Sequence, residues 1–418
     1  MIKAVTGTKD ILPSDIPRWK YLEKTVERIF ISFNYKEIRT PIFEETALFA
    51  RGIGEETDIV GKEMYTFTDR SDTSLTLKPE MTAAVVRAFV EHSLGAQQPL
   101  VKLYYMSPMF RQERPQAGRF RQFHQFGAEA IGSKSPLLDS EMIQMAYEIL
   151  KSLGLKNLMV KINSIGTPET RENYKTILKN FLEDKKNKLS EDSRRRFETN
   201  ILRIFDSKIE SDQKIIKDAP KLVDHLDDES KEDFEVVKDQ LKKSSIPFEI
   251  DSSLVRGLDY YTKLTFEIDS GSVGAQTALC GGGRYDLLIE TLGGKPTPAT
   301  GFAAGIERIL LACENEKSFS IPVPAIDIYL VRVGDELESF ISELAGKLRK
   351  ENLSVDFDYL QRSVKAQMRE ANKMNARFTL FIGGDEYKQG LMNLKNMSTG
   401  VEEKVILRDM SLLFSKLK

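Results

Sequence analysis

Apolar positions along this 418-residue chain switch repeatedly between a helical and a strand period. Trp19, Leu22, Val26, Ile29, Phe30 and Phe33 recur at helical spacing and predict a helix over 17–33 that Asn34 ends. A strand through Tyr35, Ile38 and Arg39 follows, and Pro41 stops its pairing or places it at an edge. The segment TLKPEMT at 76–82 leads into a helix over 82–92. From Leu103 to Gly132 the pattern reads strand, polar loop, strand: Leu103, Tyr105 and Ser107 alternate with Tyr104, Met106 and Pro108, and Phe123, Phe126, Ala128 and Ile131 come after the loop. A helix over 137–153 and a strand at 158–166 complete the first third.

Residues 170–249 read differently. Glycine is absent, and Phe197, Ile201 and Ile204, then Phe234, Val237 and Leu241, keep helical spacing, which predicts a helical insertion. Its first half (185–208) is basic and its second (212–239) acidic, so both a solvated module and an RNA-contacting arm remain open. Strands are expected again over 254–269, with a helix over 306–313 that begins within GFAAGIER, Arg308 in its first turn. The Pro- and Ser-containing stretch 318–325 is a linker. Beyond it strands and helices alternate (IDIYLVRV, helix 335–350, SVDFDYL, helix 363–375, FTLFIGG, LMNLKNM and a last helix), which predicts a separate α/β domain over 326–418.

Composition narrows the class. A formal net charge of −2 excludes a polycationic coat, so any nucleic-acid contact must come from local patches. No apolar run is long enough to span a bilayer, and MIKAVTGTKDILP carries neither a signal-peptide core nor an Arg-rich leader. Cys280 and Cys313 form no closely spaced ligand cluster with His92, His124 and His225. The expectation is a soluble, reduced, cytoplasmic protein with no structural metal and no membrane association.

The chemistry concentrates in the 103–132 hairpin. Arg111, Arg114, Arg119 and Arg121 are opposed only by Glu113, and planar guanidinium forks bind phosphate through paired hydrogen bonds. The competing reading is a solvated basic hairpin. Glu80 stands where a strand meets a helix, placed either to present a carboxylate to a cleft or merely to complement the helix dipole. Gln125 and Glu129, four apart on one strand, share a sheet face. Gly281–Gly283 permit close backbone approach, yet no Gly-Lys-Ser/Thr follows to make a P-loop.

Three blocks in order, the helix and strand ending at Pro41, the hairpin with FRQERP, and GFAAGIER, resemble motifs 1, 2 and 3 of the class II aminoacyl-tRNA synthetases. LVRGLDYY at 254–261 and GGGRYD at 281–286 narrow the resemblance to the histidyl-tRNA synthetases, over essentially the whole chain. The resemblance implies an α+β fold: a six- or seven-stranded antiparallel sheet with flanking helices over 1–169 and 250–320, the helical insertion, and a C-terminal α/β anticodon-binding domain. It implies a homodimer formed through motif 1, with L-histidine, ATP carrying Mg²⁺, and a histidine tRNA as partners. Arg111 and Arg308 would grip the ATP phosphates, with Glu113 and Phe123 at the adenine end. Arg256 would lie against the α-phosphate, completing the catalytic set Arg256, Arg111 and Arg308. Histidine would be held by Glu80, Met81, Thr82, Arg111, Gln125, Glu129, Arg256, Tyr260, Tyr261 and Tyr285. Arg114 and Gln116 would meet the tRNA acceptor end. Leu287 departs from the glycine common after GGRYD, which questions the packing of that turn. The alternative is the histidyl synthetase-like regulatory subunit of ATP phosphoribosyltransferase, which typically lacks the anticodon domain and intact histidine blocks.

Overall fold

The computed structural model describes residues 2–54, 57–116, 118–254, 257–273, 278–318 and 325–417. They fall into two compact units, Met1–Ser320 and Ile321–Lys418. The strands of the first unit are β1 (Lys36–Glu37), β2 (Phe43–Glu45), β3 (Tyr65–Thr68), β4 (Ser74–Leu77), β5 (Val101–Phe110), β6 (Gln122–Ile131), β7 (Leu158–Ser164), β8 (Phe248–Ile250), β9 (Thr262–Ser270), β10 (Ala278–Arg284) and β11 (Ala299–Gly305). Among the described residues, eight of them form one sheet ordered β1-β5-β6-β11-β10-β9-β7-β8. Its inner pairs are antiparallel, and only the short edge strands β1 and β8 pair in parallel. These two edges account for the excess over the six or seven strands expected.

The alternation along β5 and β6 sorts side chains between two cores. Tyr104, Phe126 and Ala128 face the helices Ile16–Ser32 and Pro136–Ser152, packing with Leu22, Phe30 and Ile149. Leu103, Tyr105, Met109 and Ile131 face the opposite side, where the helix Thr82–Glu91 and parts of the insertion close over the sheet. Each fully buried apolar side chain contributes about 1.5–3 kcal/mol, so a one-residue slip of either strand would forfeit both cores at once.

Two local departures have plain causes. Residues 257–261 are turns rather than strand, because Asp259 donates its N–H to the Ile53 carbonyl and the ladder starts only at Thr262. A separate three-stranded sheet, β2-β4-β3, has no counterpart in the apolar pattern. Hydroxyl contacts among Thr46, Thr66, Ser74 and Thr76 tie it together, while Phe43 and Phe67 stay exposed.

The stretch 170–249 is mostly helical, and two carboxylates, a half-buried Asp227 and a buried Asp212, knit it. Asp227 accepts from the Thr170 hydroxyl and from the backbone and hydroxyl of Ser230. Asp212 accepts from Ser190, Ser193 and Ser207. Its last helix, Asp228–Lys243, places Phe234, Val237 and Leu241 in the first of the two cores, and β8 joins the large sheet. Burial works against the Asp212 carboxylate, but the serine donors outweigh it and hold its pKa down to about 2. A depressed pKa contributes stability that is present above the usual carboxylate value near 3.9 and is lost as pH falls through about 2. Replacing Asp212 by Ala strands the buried hydroxyls of Ser193 and Ser207 and the half-buried one of Ser190, and is expected to destabilise this module by about 3 kcal/mol. Hydrogen exchange at 190–213 measures that loss, and unchanged protection there refutes it.

The second unit contains β12 (Ile328–Val333), β13 (Val355–Phe357), β14 (Phe378–Gly383), β15 (Leu391–Asn396) and β16 (Glu402–Ile406), in the order β13-β12-β14-β15-β16. β12 runs parallel to both neighbours, and the β14-β15-β16 pairs are antiparallel. The helix Glu338–Lys350 covers one face through Ile341, Leu344 and Leu348, and Val364–Lys373 covers the other through Ala371. β16 carries no strand signature because only Val405 of its five residues is buried. No helix among the described residues is long and apolar enough to cross a membrane.

Candidate active site

β5 and β6 bring the hairpin arginines to one end of the sheet. Arg111 follows β5, and its backbone N–H donates to the Arg121 carbonyl. Its Nε donates to the Pro79 carbonyl at 2.9 Å, its guanidinium lies 5.5 Å from the Phe123 ring, and Nη1 is 3.6 Å from Glu113. Arg119 reaches the other oxygen of Glu113 at 3.2 Å. Arg308, in the first turn of the helix Ile306–Glu316, donates to the carbonyls of Gly118 and Ala278. Burial, and then the neighbouring Arg119, push the Arg308 pKa down. Three guanidiniums converging on one space repel one another, which an anion between them would relieve. That space is a cavity of about 630 Å³, walled by Arg111, Glu113, Arg119, Phe123, Glu267 and Arg308 among others.

The cavity meets a second, smaller one of about 70 Å³ at Arg111, Gln125, Gly281 and Ala303. Glu80, Met81, Thr82, Tyr260, Tyr261 and Tyr285 line this inner pocket. Behind it Glu129 is fully buried, accepting from the Thr82 hydroxyl at 2.8 Å, from the Tyr285 hydroxyl, and from Tyr105 at 3.4 Å. Burial is the main reason that the Glu129 pKa is pushed up to about 8; its hydroxyl donors lower it, and Glu80 raises it further. Glycine makes the room: a Cβ at Gly301, directly across β11 from Glu129, would stand 1.8 Å from the carboxylate. A Cβ at Gly127 would likewise meet the Tyr105 hydroxyl at 2.4 Å.

The two readings of Glu80 both have a place here. Its carboxylate accepts the backbone N–H groups of Thr82 at 2.7 Å and Ala83 at 2.9 Å, capping the helix that begins at Thr82. Burial nevertheless raises its pKa, and it lines the inner pocket. Gln125 lines both cavities, and its buried Oε1 has no hydrogen-bond partner among the described residues. An acceptor of this kind suits an ammonium group.

Other expected residues divide. Arg114 and Gln116 sit on the exposed hairpin tip, lining neither cavity. Arg256, expected at the α-phosphate, lies outside the described residues, as does most of the 318–325 linker. Arg121, counted with the anion-binding arginines of the hairpin, instead braces it: its N–H donates to the Gly7 carbonyl, and its guanidinium reaches the Thr6 and Glu113 carbonyls. His124 is structural, since its ring Nδ1 lies 2.9 Å from Glu307, which also accepts its backbone N–H. Leu287 is harmlessly exposed before a one-turn helix. Tyr105 and Lys78 were not foreseen. Lys78 is wholly buried, 3.4 Å from the Thr40 hydroxyl, and burial pushes its pKa down to about 8. Its backbone bridges Ile42 and Phe110, which sets the 79–82 turn against the hairpin.

A family profile described as an anticodon binding domain matches residues 327–416, and one described as histidyl-tRNA synthetase matches residues 7–309. A histidine–tRNA ligase of Caldanaerobacter subterraneus is 48% identical over 97% of this chain and 98% of its own. That of Halothermothrix orenii is 49% identical over 98% of each. The crystal structure of apo Staphylococcus aureus histidyl-tRNA synthetase superposes with a TM-score of 0.84 at 41% identity, covering 99% of this chain and all of its own. Sheet, joined cavities and C-terminal domain thus define an aminoacyl-tRNA synthetase. The chain belongs to the histidyl-tRNA synthetase family.

Proposed function

We propose that the chain activates L-histidine with ATP to histidyl-adenylate and pyrophosphate, then transfers histidine to the 3′ end of its tRNA. The observation that carries this reading is the buried Glu129, set among hydroxyl donors behind a pocket that opens beside Arg111 into the arginine-lined cavity. A neutral imidazole has one N–H donor and one bare nitrogen. Glu129 accepts from the first, and the hydroxyl of Tyr260 or Tyr261 donates to the second. Glu80, Thr82 and Gln125 take the α-amino group, which turns the histidine carboxylate toward Arg111 and the nucleotide. With Met81 as apolar wall, the pocket rejects side chains that would leave its polar groups unpaired.

The carboxylate attacks the α-phosphorus and pyrophosphate departs, so the site must hold two anions together and meet the charge that develops. Arg111 and Arg308 hold the phosphates, Glu113 and Phe123 the adenine end, and Arg256 the α-phosphate. Magnesium would be carried in on the nucleotide, where it would neutralise phosphate charge. Glu113 and Glu267, both on the cavity wall, would meet an ion carried on the β- and γ-phosphates.

Residues 1–169 and 250–320 form the catalytic body on this reading, 170–249 the insertion, and 326–418 the anticodon reader. Arg114 and Gln116, on the exposed tip, meet the acceptor end. The exposed rings of Phe43 and Phe67, 6.4 Å apart beside exposed Ile42, support a class II homodimer; we place its work in the cytoplasm, where tRNA is charged. The regulatory-subunit reading is disfavoured, because an anticodon-binding domain follows the catalytic match. ATP–pyrophosphate exchange across the twenty amino acids tests the proposal. Histidine alone should stimulate it, and equal stimulation by any other amino acid would sink the reading.

A further inference from the structure

Behind the amino-acid pocket lies another cavity, of about 280 Å³, that the reaction does not use. Its walls come from the strand end at Asn163 and Ile165, the helix Pro168–Glu183, Asn200 with the short helix Ile201–Asp206, and Ser252, Leu258, Asp259 and Tyr261. Tyr261 and Leu258 stand in the partition, since both also line the inner pocket of the active site.

Arg171 is the feature that asks for an occupant. Half-buried in this wall, its guanidinium makes no hydrogen bond or ion pair with any described residue, and burial pushes its pKa down. Asp259 and Glu172 act on it through space without pairing. A desolvated cation without a partner is costly, and a bound anion would remove that cost. The balance around the cavity sets the anion's charge. Of the other charged groups on the wall, Lys175 is paired with Glu172 at 2.7 Å. Arg203 is already engaged by Asp58 at 3.9 Å and the Gly257 carbonyl, which leaves Arg171 as the cation to be met. A monoanion matches that single guanidinium; a phosphate dianion overshoots it. The remaining wall is largely apolar, with Leu202, Phe205 and Leu222 around the polar end. Asn163 adds a buried Oδ1 with no partner among the described residues.

We infer that this cavity is a second ligand site, for a small carboxylate with an apolar body, and that its occupancy tunes histidine binding through Tyr261 and Leu258. The second half of this statement rests on the amino-acid site proposed above; the first half does not.

Benzoate is the probe, titrated into the full-length protein by calorimetry with and without saturating histidine. One site per chain is expected with a Kd on the order of 1 mM, as suits so small a ligand. Histidine should not displace it, equimolar inorganic phosphate should not compete, and the KM for histidine should shift at least twofold when the site fills. Arg171→Met should weaken benzoate at least tenfold and abolish the KM shift while leaving exchange without benzoate unchanged. Arg171→Lys should retain most of the binding, and Leu202→Trp, which fills the cavity with the charge intact, should block it.

Absence of saturable binding, full binding in Arg171→Met, or displacement by histidine would overturn the site. Competition by phosphate as strong as benzoate itself would overturn the carboxylate assignment. Binding with an unmoved histidine KM would overturn the coupling. If exchange fails to depend on histidine at all, the catalytic reading falls while the benzoate titration still decides the site.

Discussion

Glu129→Gln is expected to lower kcat/KM for histidine in pyrophosphate exchange about 10³-fold, equivalent to about 4 kcal/mol. The carboxylate is wholly buried and already gathers Thr82, Tyr285 and Tyr105. A glutamine of the same shape keeps one acceptor oxygen but turns an NH₂ group toward hydroxyls arranged to donate. The change therefore leaves unmatched polar groups in a space without water. A pH signature separates this from a general loss of fold. Burial raises the folded-state pKa of Glu129 to about 8, so its ionised form is disfavoured. The stability linked to this group is thus fully present below the usual carboxylate value, near 4.3, and lost as pH rises through about 8. Imidazole, with a pKa of about 6.5, is already neutral across the upper part of that window and stabilises the ionised carboxylate when it binds. The histidine KM of the wild type should therefore fall as pH rises toward and past about 8. Glu129→Gln should lack that fall, and it also serves as the control for titration of the histidine α-amino group. Matching profiles in wild type and variant would remove Glu129 from imidazole recognition.

Arg111→Lys should lower the exchange rate at subsaturating ATP by roughly 10²–10³, the scale seen when one fixed donor to developing charge is lost. Charge is conserved in this substitution, so the test is of geometry. Arg111 uses Nε on the Pro79 carbonyl and still aims the rest of its fork into the cavity beside Phe123. A lysine ammonium is a single point and cannot brace the 79–82 turn while gripping phosphate. Histidine binding without ATP, followed by calorimetry, should weaken far less than the rate falls. An ATP KM and rate both within about threefold of wild type would show that the fork is dispensable, against the expectation for bidentate phosphate contacts.

Much of the site was legible because its signals are local. Two four-apart polar residues on a strand, Gln125 and Glu129, must share a face; Gln125 lines the inner pocket, and Glu129 stands behind it, bonded to the lining Tyr285. The arginine cluster was visible as composition, yet its division of labour was not. Arg121 looks like its neighbours in sequence, and only the return of the N-terminal turn at Gly7 makes it a brace. His124 likewise sits in a reactive-looking block until Glu307, 183 positions later, claims its ring and its backbone. Tyr105 went unnoticed because a buried tyrosine in a strand reads as core. Its role depends on the gap that Gly127 leaves on the next strand.

By itself, the sequence determined the alternation that splits β5 and β6 between two cores, the glycine-free helical stretch, the separate C-terminal α/β unit and the residue types of the site. Those properties follow from periods of two and 3.6 residues and from side-chain chemistry, which need no distant partner. Tertiary structure alone decided the edge strand β8, the exposed sheet β2-β4-β3, and the pairing of Glu129 with Thr82 and Tyr285. It also decided the solitary Arg171 behind Tyr261. Each of these depends on contacts between segments far apart in the chain, where burial sets whether a polar group is paired, shifted or left waiting for a ligand.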